Sequence, residues 1–208
     1  MARQTRQRIL DASLSMFNAQ GEPNVTTNHI ADELEISPGN LYYHFRNKDD
    51  IIEQLFGGYE QRMDAALSAP EGRLPGLEDV WLQLHLVFEC IWDYRFLYRD
   101  LVDILTRNRR LRLRFARILK RADEQAHQVM RGLVQAGVMR ASADEVDAAA
   151  TNILVIATFW LNYAAARGDK DERTSIRDGI VQVMMLLSPF LRDAERVHLN
   201  QLIRAYTD

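Results

Sequence analysis

The chain's 208 residues, 47% hydrophobic with only 5 prolines and 10 glycines, describe an ordered, helix-rich globular protein with a substantial core, and exclude a disordered or fibrous one. A lone cysteine, Cys90, excludes an internal disulfide and a cysteine metal site and suits a reducing cytoplasm. The net charge of −3 excludes a general basic field: Arg3, Arg6, Arg8, Arg46 and Lys48 are outnumbered within residues 1–50 by seven acids, so any nucleic-acid affinity must come from local placement.

At the front, MARQTRQRIL has no apolar h-region, so no secretory signal is expected. The first predicted helix runs from Thr5 to Gln20 on a broad apolar face of Ile9, Leu10, Ala12, Leu14, Met16 and Phe17. Gly21 is a good terminator, and Glu22 to Val25 carry the chain onward. Arg3, Arg6 and Arg8 can reach phosphates or simply form a solvated helix end.

Residues 26–48, TTNHIADELEISPGNLYYHFRNK, hold two short helices. Thr26 or Thr27 caps the first, whose Ile30, Ala31 and Leu34 fall at helical spacing. Ser37 before Pro38 starts the second: serine accepts from an orphan N–H, and proline lacks the N–H that would otherwise go unpaired. With only Glu35 to Ser37 between them the helices must cross steeply, which is a helix-turn-helix. The second helix opens on Pro38, Gly39 and Asn40, so its backbone can approach a major-groove floor, where Asn40 can meet a base edge or a phosphate. Tyr42, Tyr43 and His44 fan around the helix while Leu41 and Phe45 form its buried stripe. Three consecutive polar aromatics build a core poorly; donors reaching for phosphate account for them better, with at least one tyrosine packing on the preceding helix.

The run from Thr26 to Ile51 closely resembles the helix-turn-helix of the TetR family of bacterial transcriptional regulators: Thr-Thr, Ile-Ala, a turn, a small-residue helix start, Leu-Tyr, an aromatic pair, then Lys. The likeness covers residues 4 to 64. It implies an all-α fold with an N-terminal three-helix helix-turn-helix domain (4–64, the motif at about 26–45) and a C-terminal helical bundle for ligand binding and dimerisation (77–208). It also implies DNA contacts from Thr26, Thr27, Asn28, Ser37, Gly39, Asn40, Tyr42, Tyr43, His44 and Lys48. Two positions depart from the pattern. Glu35 stands where glycine is usual, a penalty of ~1 kcal/mol or more if the backbone is left-handed. Asn28 stands where a basic residue is common, so operator preference should differ.

Asn47 caps a helix from Lys48 to about Leu67, with Asp49 and Asp50 favoured by its dipole. Lys48 opposes that dipole, which suggests a phosphate ligand there. Ser68 to Gly76, SAPEGRLPG, reads as a linker. Further helices are predicted at Leu77–Asp93, Arg95–Thr106, Arg109–Gln135, Ala143–Ala166, Ser175–Leu187 and Phe190–Tyr206, with a capping box at Ser142–Glu145. The longest apolar stretch, Ile153–Leu161, is too short for a bilayer, so no membrane partner is expected.

Trp81, His85, Phe88 and Trp92 make one helical stripe, and Phe159, Trp160 and Tyr163 fall on another. Such stripes are ordinary core, or they border a ligand cavity with His85 as its polar member and Phe159 or Tyr163 across it. The segment from Tyr94 to Leu101, YRFLYRDL, resembles a phrase in a subset of TetR-like repressors, one of which regulates polyhydroxyalkanoate synthesis, and that likeness implies an acyl chain or acyl-CoA. An internal salt bridge among Arg95, Arg99 and Asp100 is the physical alternative.

From Arg107 to Arg121 there are eight basic residues and no acid. They cover most of a helix circumference, so most should be solvated or paired, with a minority available to an anionic ligand. Met184–Met185 and the apolar residues of Asp144–Trp160 and Ser175–Leu187 suit a homodimer interface. The function expected is a ligand-responsive regulator, most often a repressor, in which a dimer binds a palindromic double-stranded DNA operator and a small hydrophobic effector releases it. No cofactor, metal or catalytic residue is expected, since no HExxH, Gly-rich phosphate loop or Cys–His pairing is present. An architectural DNA-binding protein without ligand and a helical-bundle enzyme or carrier are the rival classes.

Overall fold

The computed structural model describes residues 2–68, 72–168 and 172–207. Among these the secondary structure is helical, apart from one isolated antiparallel bridge between Met139 and Leu191. The helices are α1 (Ala2–Gln20), α2 (Thr27–Glu33), α3 (Pro38–His44), α4 (Lys48–Ala66), α5 (Leu77–Asp93), α6 (Arg95–Arg99), α7 (Leu101–Arg107), α8 (Arg109–Gln135), α9 (Ala143–Arg167), α10 (Glu172–Leu187) and α11 (Asp193–Thr207). Short 3-10 turns occupy Glu22–Asn24 and Ser188–Phe190.

Packing divides the chain into two compact units. The first comprises residues up to Arg62 together with Asp93–Arg114; the second comprises Met63–Trp92 and everything from Phe115 onward. This is not the expected split into 4–64 and 77–208, and the expected linker at 68–76 partly falls, at Ala69, Pro70 and Glu71, outside the described residues. The difference has a polar cause. Asn18, in α1, is buried and donates to the Asp93 carbonyl at 2.8 Å while accepting from the Phe96 N–H at 3.1 Å. Arg99 donates to the Asn18 carbonyl at 2.8 Å, and Phe17 meets Phe96 with ring centroids 5.3 Å apart. Arg99 and Asp100 are therefore engaged with α1 and the turn after it, not only with each other as their spacing suggested. The single helix expected over Arg95–Thr106 is broken at Asp100 into α6 and α7.

The apolar spacing of α1 to α4 buries Ile9, Phe17, Ile30, Ala31, Leu41, Phe45, Ile51, Ile52 and Phe56 as the core of the first unit. Tyr59 and Tyr98 close it with a hydroxyl–hydroxyl bond of 2.7 Å. Several arginines of α7 and α8 are paired, Arg107 with Glu22 among them. Arg110 meets Glu53 at 3.0 Å and Arg114 meets Glu60 at 2.8 Å, with the Arg114 guanidinium 4.8 Å from the Phe56 ring centroid. In the second unit Arg121 pairs with Asp64.

In the second unit α9 begins on the expected capping box: Ser142 accepts from the Glu145 N–H and Glu145 accepts from the Ser142 N–H at 2.7 Å. The Ser142 N–H, and after it the Ser142 hydroxyl donating at 2.8 Å, hold the Glu145 carboxyl below the usual carboxylate range. Gly168 ends the helix in the left-handed region at φ 87. Among the described helices α9 alone is long and apolar enough to cross a membrane by length and composition, with 25 residues and a mean hydropathy of 1.3 in its most apolar window. Run length missed this because Asn152 and Asn162 bound the uninterrupted stretch Ile153–Leu161. Its apolar positions split into two faces. Trp160 and Leu161 turn inward, and the Trp160 indole N–H donates to the Ser175 carbonyl at 2.5 Å. At Gly179 of α10 an added Cβ would lie 2.6 Å from Phe88 and 2.7 Å from Trp160, so only glycine permits this approach.

Candidate nucleic-acid interface

The helix-turn-helix forms as its residue types require. Thr26 caps α2 by accepting from the His29 N–H at 3.2 Å, and His29 Nδ1 accepts from the Thr26 N–H at 3.4 Å, so imidazole completes a capping box. Ser37 caps α3 by accepting from the Asn40 N–H at 3.2 Å, with Pro38 in the first turn. Between the helices Glu35 has φ 54, the one non-glycine residue in the left-handed region among those described. The steep turn is thus made in spite of a Cβ that opposes it.

Leu41 and Phe45 are buried, and this orients the rest of α3 outward. Asn28, Ser37, Gly39 and Asn40 are exposed, Tyr42 and Tyr43 are 49% and 79% exposed, and His44 is half-buried. Tyr42 OH lies 2.9 Å from Thr27 Oγ1, which ties the two helices together and fixes one tyrosine. Tyr43 stands free of the core and meets the His44 ring edge-on at 5.1 Å. The predicted DNA-contact residues from Thr26 to His44 thus gather on α2 and α3, most of them on the exposed side. Arg6 does not extend freely: its guanidinium lies 4.9 Å from the Phe45 ring centroid.

Lys48 is different. Its ammonium donates to the carbonyls of Glu22 and Val25, each at 3.0 Å, and lies 2.8 Å from Glu22 Oε1. Its counter-charge in this structure therefore comes from within the fold, so its place at the start of α4 does not by itself call for a phosphate. Glu22 is fully buried, and Arg107 reaches the other oxygen of the same carboxylate. Asp100 accepts the Glu22 N–H at 3.1 Å; its own burial pushes its carboxyl up, against the pull of that hydrogen bond. Sequence reading missed this cluster. Glu22 sits beside a proline between helices and looks like a solvated loop residue, and its partners are remote in sequence.

The expected ligand residues do not assemble into one pocket. Trp81 and His85 stack at 5.5 Å, His85 Nε2 lies 3.3 Å from Glu89, and Phe88 is fully buried. Phe159 and Tyr163, 45% and 55% exposed on α9, instead line an open groove of about 390 Å³ with Trp160, Val155 and Gln182, apart from the α5 stripe. At 100° per residue Trp160 turns to the core and its neighbour Phe159 turns away from it. A smaller, more enclosed cavity lies among α5, α8, α9 and α10, with a volume of about 60 Å³, lined by residues including Val80, Gln83, Leu84, Ala126, Met130 and Val183. It takes the Val80–Gln83–Leu84 side of α5, not the aromatic stripe.

Known proteins carry the same arrangement. A family described as "Bacterial transcriptional repressor" matches residues 58–199, and one described as "Bacterial regulatory proteins, tetR family" matches residues 9–55. The chain belongs to the TetR family. That family is one of bacterial transcriptional repressors and regulatory proteins. A TetR-family regulator from Marinobacter aquaeolei is 38% identical, with 97% of this chain and 98% of that one aligned at a TM-score of 0.89. The ketosteroid transcriptional regulator KstR2 of Mycobacterium tuberculosis shares the fold at 21% identity and a TM-score of 0.64 over 91% of this chain and 96% of that one. Among curated relatives, the regulator TtgW of Pseudomonas putida is 35% identical over 63 residues, 30% of this chain and 47% of that protein. The repressor KstR2 of Mycolicibacterium smegmatis is 36% identical over 80 residues, 35% of this chain and 38% of that protein. The chain thus spans less than half the length of these two relatives.

Proposed function

We propose that this TetR-family chain binds a palindromic double-stranded DNA operator as a homodimer, acts as a repressor in the bacterial cytoplasm, and is released by a small hydrophobic effector. The observation that carries the reading is the exposed first turn of α3, where Ser37, Gly39 and Asn40 present small polar groups beside an anchored Tyr42 and a free Tyr43. Asn40 is assigned to a base edge, Tyr42, Tyr43 and His44 to the backbone and groove wall, and Thr26, Thr27, Asn28 and Ser37 to phosphates. No catalytic role is assigned.

Homodimerisation is supported by the exposed apolar face of α9 and α10, where Val155, Phe159, Tyr163 and Met185 are each at least 45% exposed. A patch of this kind marks an interaction site. Leu187 and Met184 belong to the core instead, so of the Met184–Met185 pair only Met185 is offered to a partner.

The effector reading is supported by the apolar cavity around Gln83, whose amide nitrogen is buried without a hydrogen-bond partner. Its volume is less than half of the ~150 Å³ that admits benzene. An acyl chain or acyl-CoA would have to part the helices, with Met130 as the adaptable wall. Related proteins named with hydrophobic ligands, a SmeT–triclosan complex and the ketosteroid regulator, favour the same class.

Selection of bound sequences from random DNA, followed by footprinting, tests the function. A single protected palindrome, released by members of a panel of fatty acids, acyl-CoAs and steroids, is the expected result. Binding that depends on salt but not on sequence would make the chain an architectural protein instead.

A further inference from the structure

Glu22 presents one fully buried carboxylate to two cations, Lys48 on α4 and Arg107 at the end of α7. Asp100, the other carboxylate beside Glu22, is pushed up by burial and has Arg99 as its own neighbouring cation, so of the two cations on Glu22 itself one is surplus. Leaving a buried carboxylate with none is strongly unfavourable. Both cations have somewhere else to go. Arg107 also lies 3.5 Å from Asp103, one turn back on its own helix, where the carboxylate is 65% exposed. Lys48, 24% exposed, opens α4 a few residues after the recognition helix. Meanwhile Asp100 holds the Glu22 N–H, which keeps the Glu22 backbone in place whichever cation stays.

We propose that Glu22 is a shared counter-ion through which Arg107, without touching DNA, sets the availability of Lys48 to the operator. With Arg107 seated on Glu22, Lys48 can leave for a phosphate and the buried carboxylate remains neutralised. When Arg107 withdraws to Asp103, Lys48 becomes the sole counter-charge and is held. Arg107 is the last residue of α7 and precedes Asn108, where the backbone is extended before α8 begins. A change in the joint between α7 and α8 therefore acts directly on it. The inference rests on the operator-binding reading above, adds to it Lys48 as a phosphate ligand when released from Glu22, and makes Arg107 a positioning residue.

The test is operator binding by the full chain, followed by fluorescence anisotropy over a salt series on the selected palindrome. Arg107→Met should weaken binding by roughly tenfold at physiological salt and flatten the slope of log affinity against log salt by roughly one unit per protomer, the loss of one phosphate contact. Adding Glu22→Gln to that variant should restore the wild-type slope, because the neutral amide no longer requires Lys48 as its counter-charge and the Glu22 and Val25 carbonyls hold it less strongly than a phosphate does. Arg107→Lys should behave as wild type. A mere structural role for the cluster predicts the reverse, with the double variant worse than either single one. An unchanged slope in Arg107→Met, or no recovery in the double variant, overturns the proposal. Should Arg107→Met prove unfolded by circular dichroism, Glu22→Gln alone decides: a steepened or maintained slope supports the switch, and a flattened one overturns it. A wild-type chain with no sequence preference overturns the operator reading and this inference together, and that outcome is visible before any variant is compared.

Discussion

Among the described residues, exposed aromatic side chains stand on α3 and on α9, and the two sites teach different lessons. Tyr42 and Phe159 are almost equally exposed, at 49% and 45%. On α3 the neighbours are Thr27, Ser37, Asn40 and His44, small or hydrogen-bonding groups that suit a hydrated, polyanionic partner. On α9 the neighbours are Val155 and Ile156, with Met185 exposed on α10, groups that gain only by leaving water. Exposure marks both surfaces as unfinished; the chemistry around the rings says what finishes each.

The sharpest way to break that contrast is to place a charge on the apolar face. Phe159→Arg should give a monomer by sedimentation velocity at micromolar concentration and weaken operator binding by roughly a hundredfold, the loss of linked half-sites. Its melting temperature should barely change, since the ring is not core. A dimer that survives would show that α9 pairs with something else. Gly179→Ala addresses the opposite face of the same helix pair. The new methyl meets Phe88 and Trp160 and should destabilise the fold by ~1–3 kcal/mol in urea titration, with little effect on dimer dissociation. If instead Gly179→Ala were silent and Phe159→Arg unfolded the chain, the inner and outer faces of α9 would have been exchanged.

On α3, Asn40→Ala should relax base preference by ~1–3 kcal/mol at one position per half-site while leaving random DNA unaffected. Equal losses on specific and random DNA would make Asn40 a phosphate ligand. Glu35→Gly should stabilise the chain by a smaller amount, ~1 kcal/mol or less, because relief of the left-handed Cβ is partly offset by the greater freedom of unfolded glycine. A destabilised variant would indicate that the Glu35 side chain contributes more than its backbone costs.

Asp100 supplies the smallest effect and a pH signature. Its carboxyl is raised by burial, so the folded chain holds that proton more tightly than the unfolded one. The resulting stability is complete in acid, below the ordinary carboxylate range, and is lost as pH rises through the raised value. Asp100→Asn keeps an acceptor for the Glu22 N–H and has no charge to bury. Its stability relative to wild type should therefore grow from acid towards neutral pH in parallel thermal melts. A constant difference across that range would mean that burial of Asp100 has no net titration consequence.

Much of the fold is legible in local chemistry. Thr26 and Ser37 as caps, Pro38 in a first turn, Ser142 with Glu145, and Gly168 after α9 all act within a few residues, so reading along the chain finds them. The α3 surface is legible for the same reason: once Leu41 and Phe45 are the buried pair, helical geometry decides where Asn40 and Tyr43 point. The left-handed turn at Glu35 was foreseeable only as a conflict between motif and residue type.

The sequence by itself therefore determined the helices, their caps and the outward face of the recognition helix, because these depend on contacts between near neighbours. Only the tertiary structure decided which aromatic side chains are core, since Phe159 and Trp160 are adjacent on α9 yet one is exposed and the other buried. It alone seated Asp93–Arg114 with the first unit through Asn18, and it alone buried Glu22 between Lys48 and Arg107. Those arrangements join side chains far apart along the chain, and no local pattern specifies which distant charge will meet a buried carboxylate.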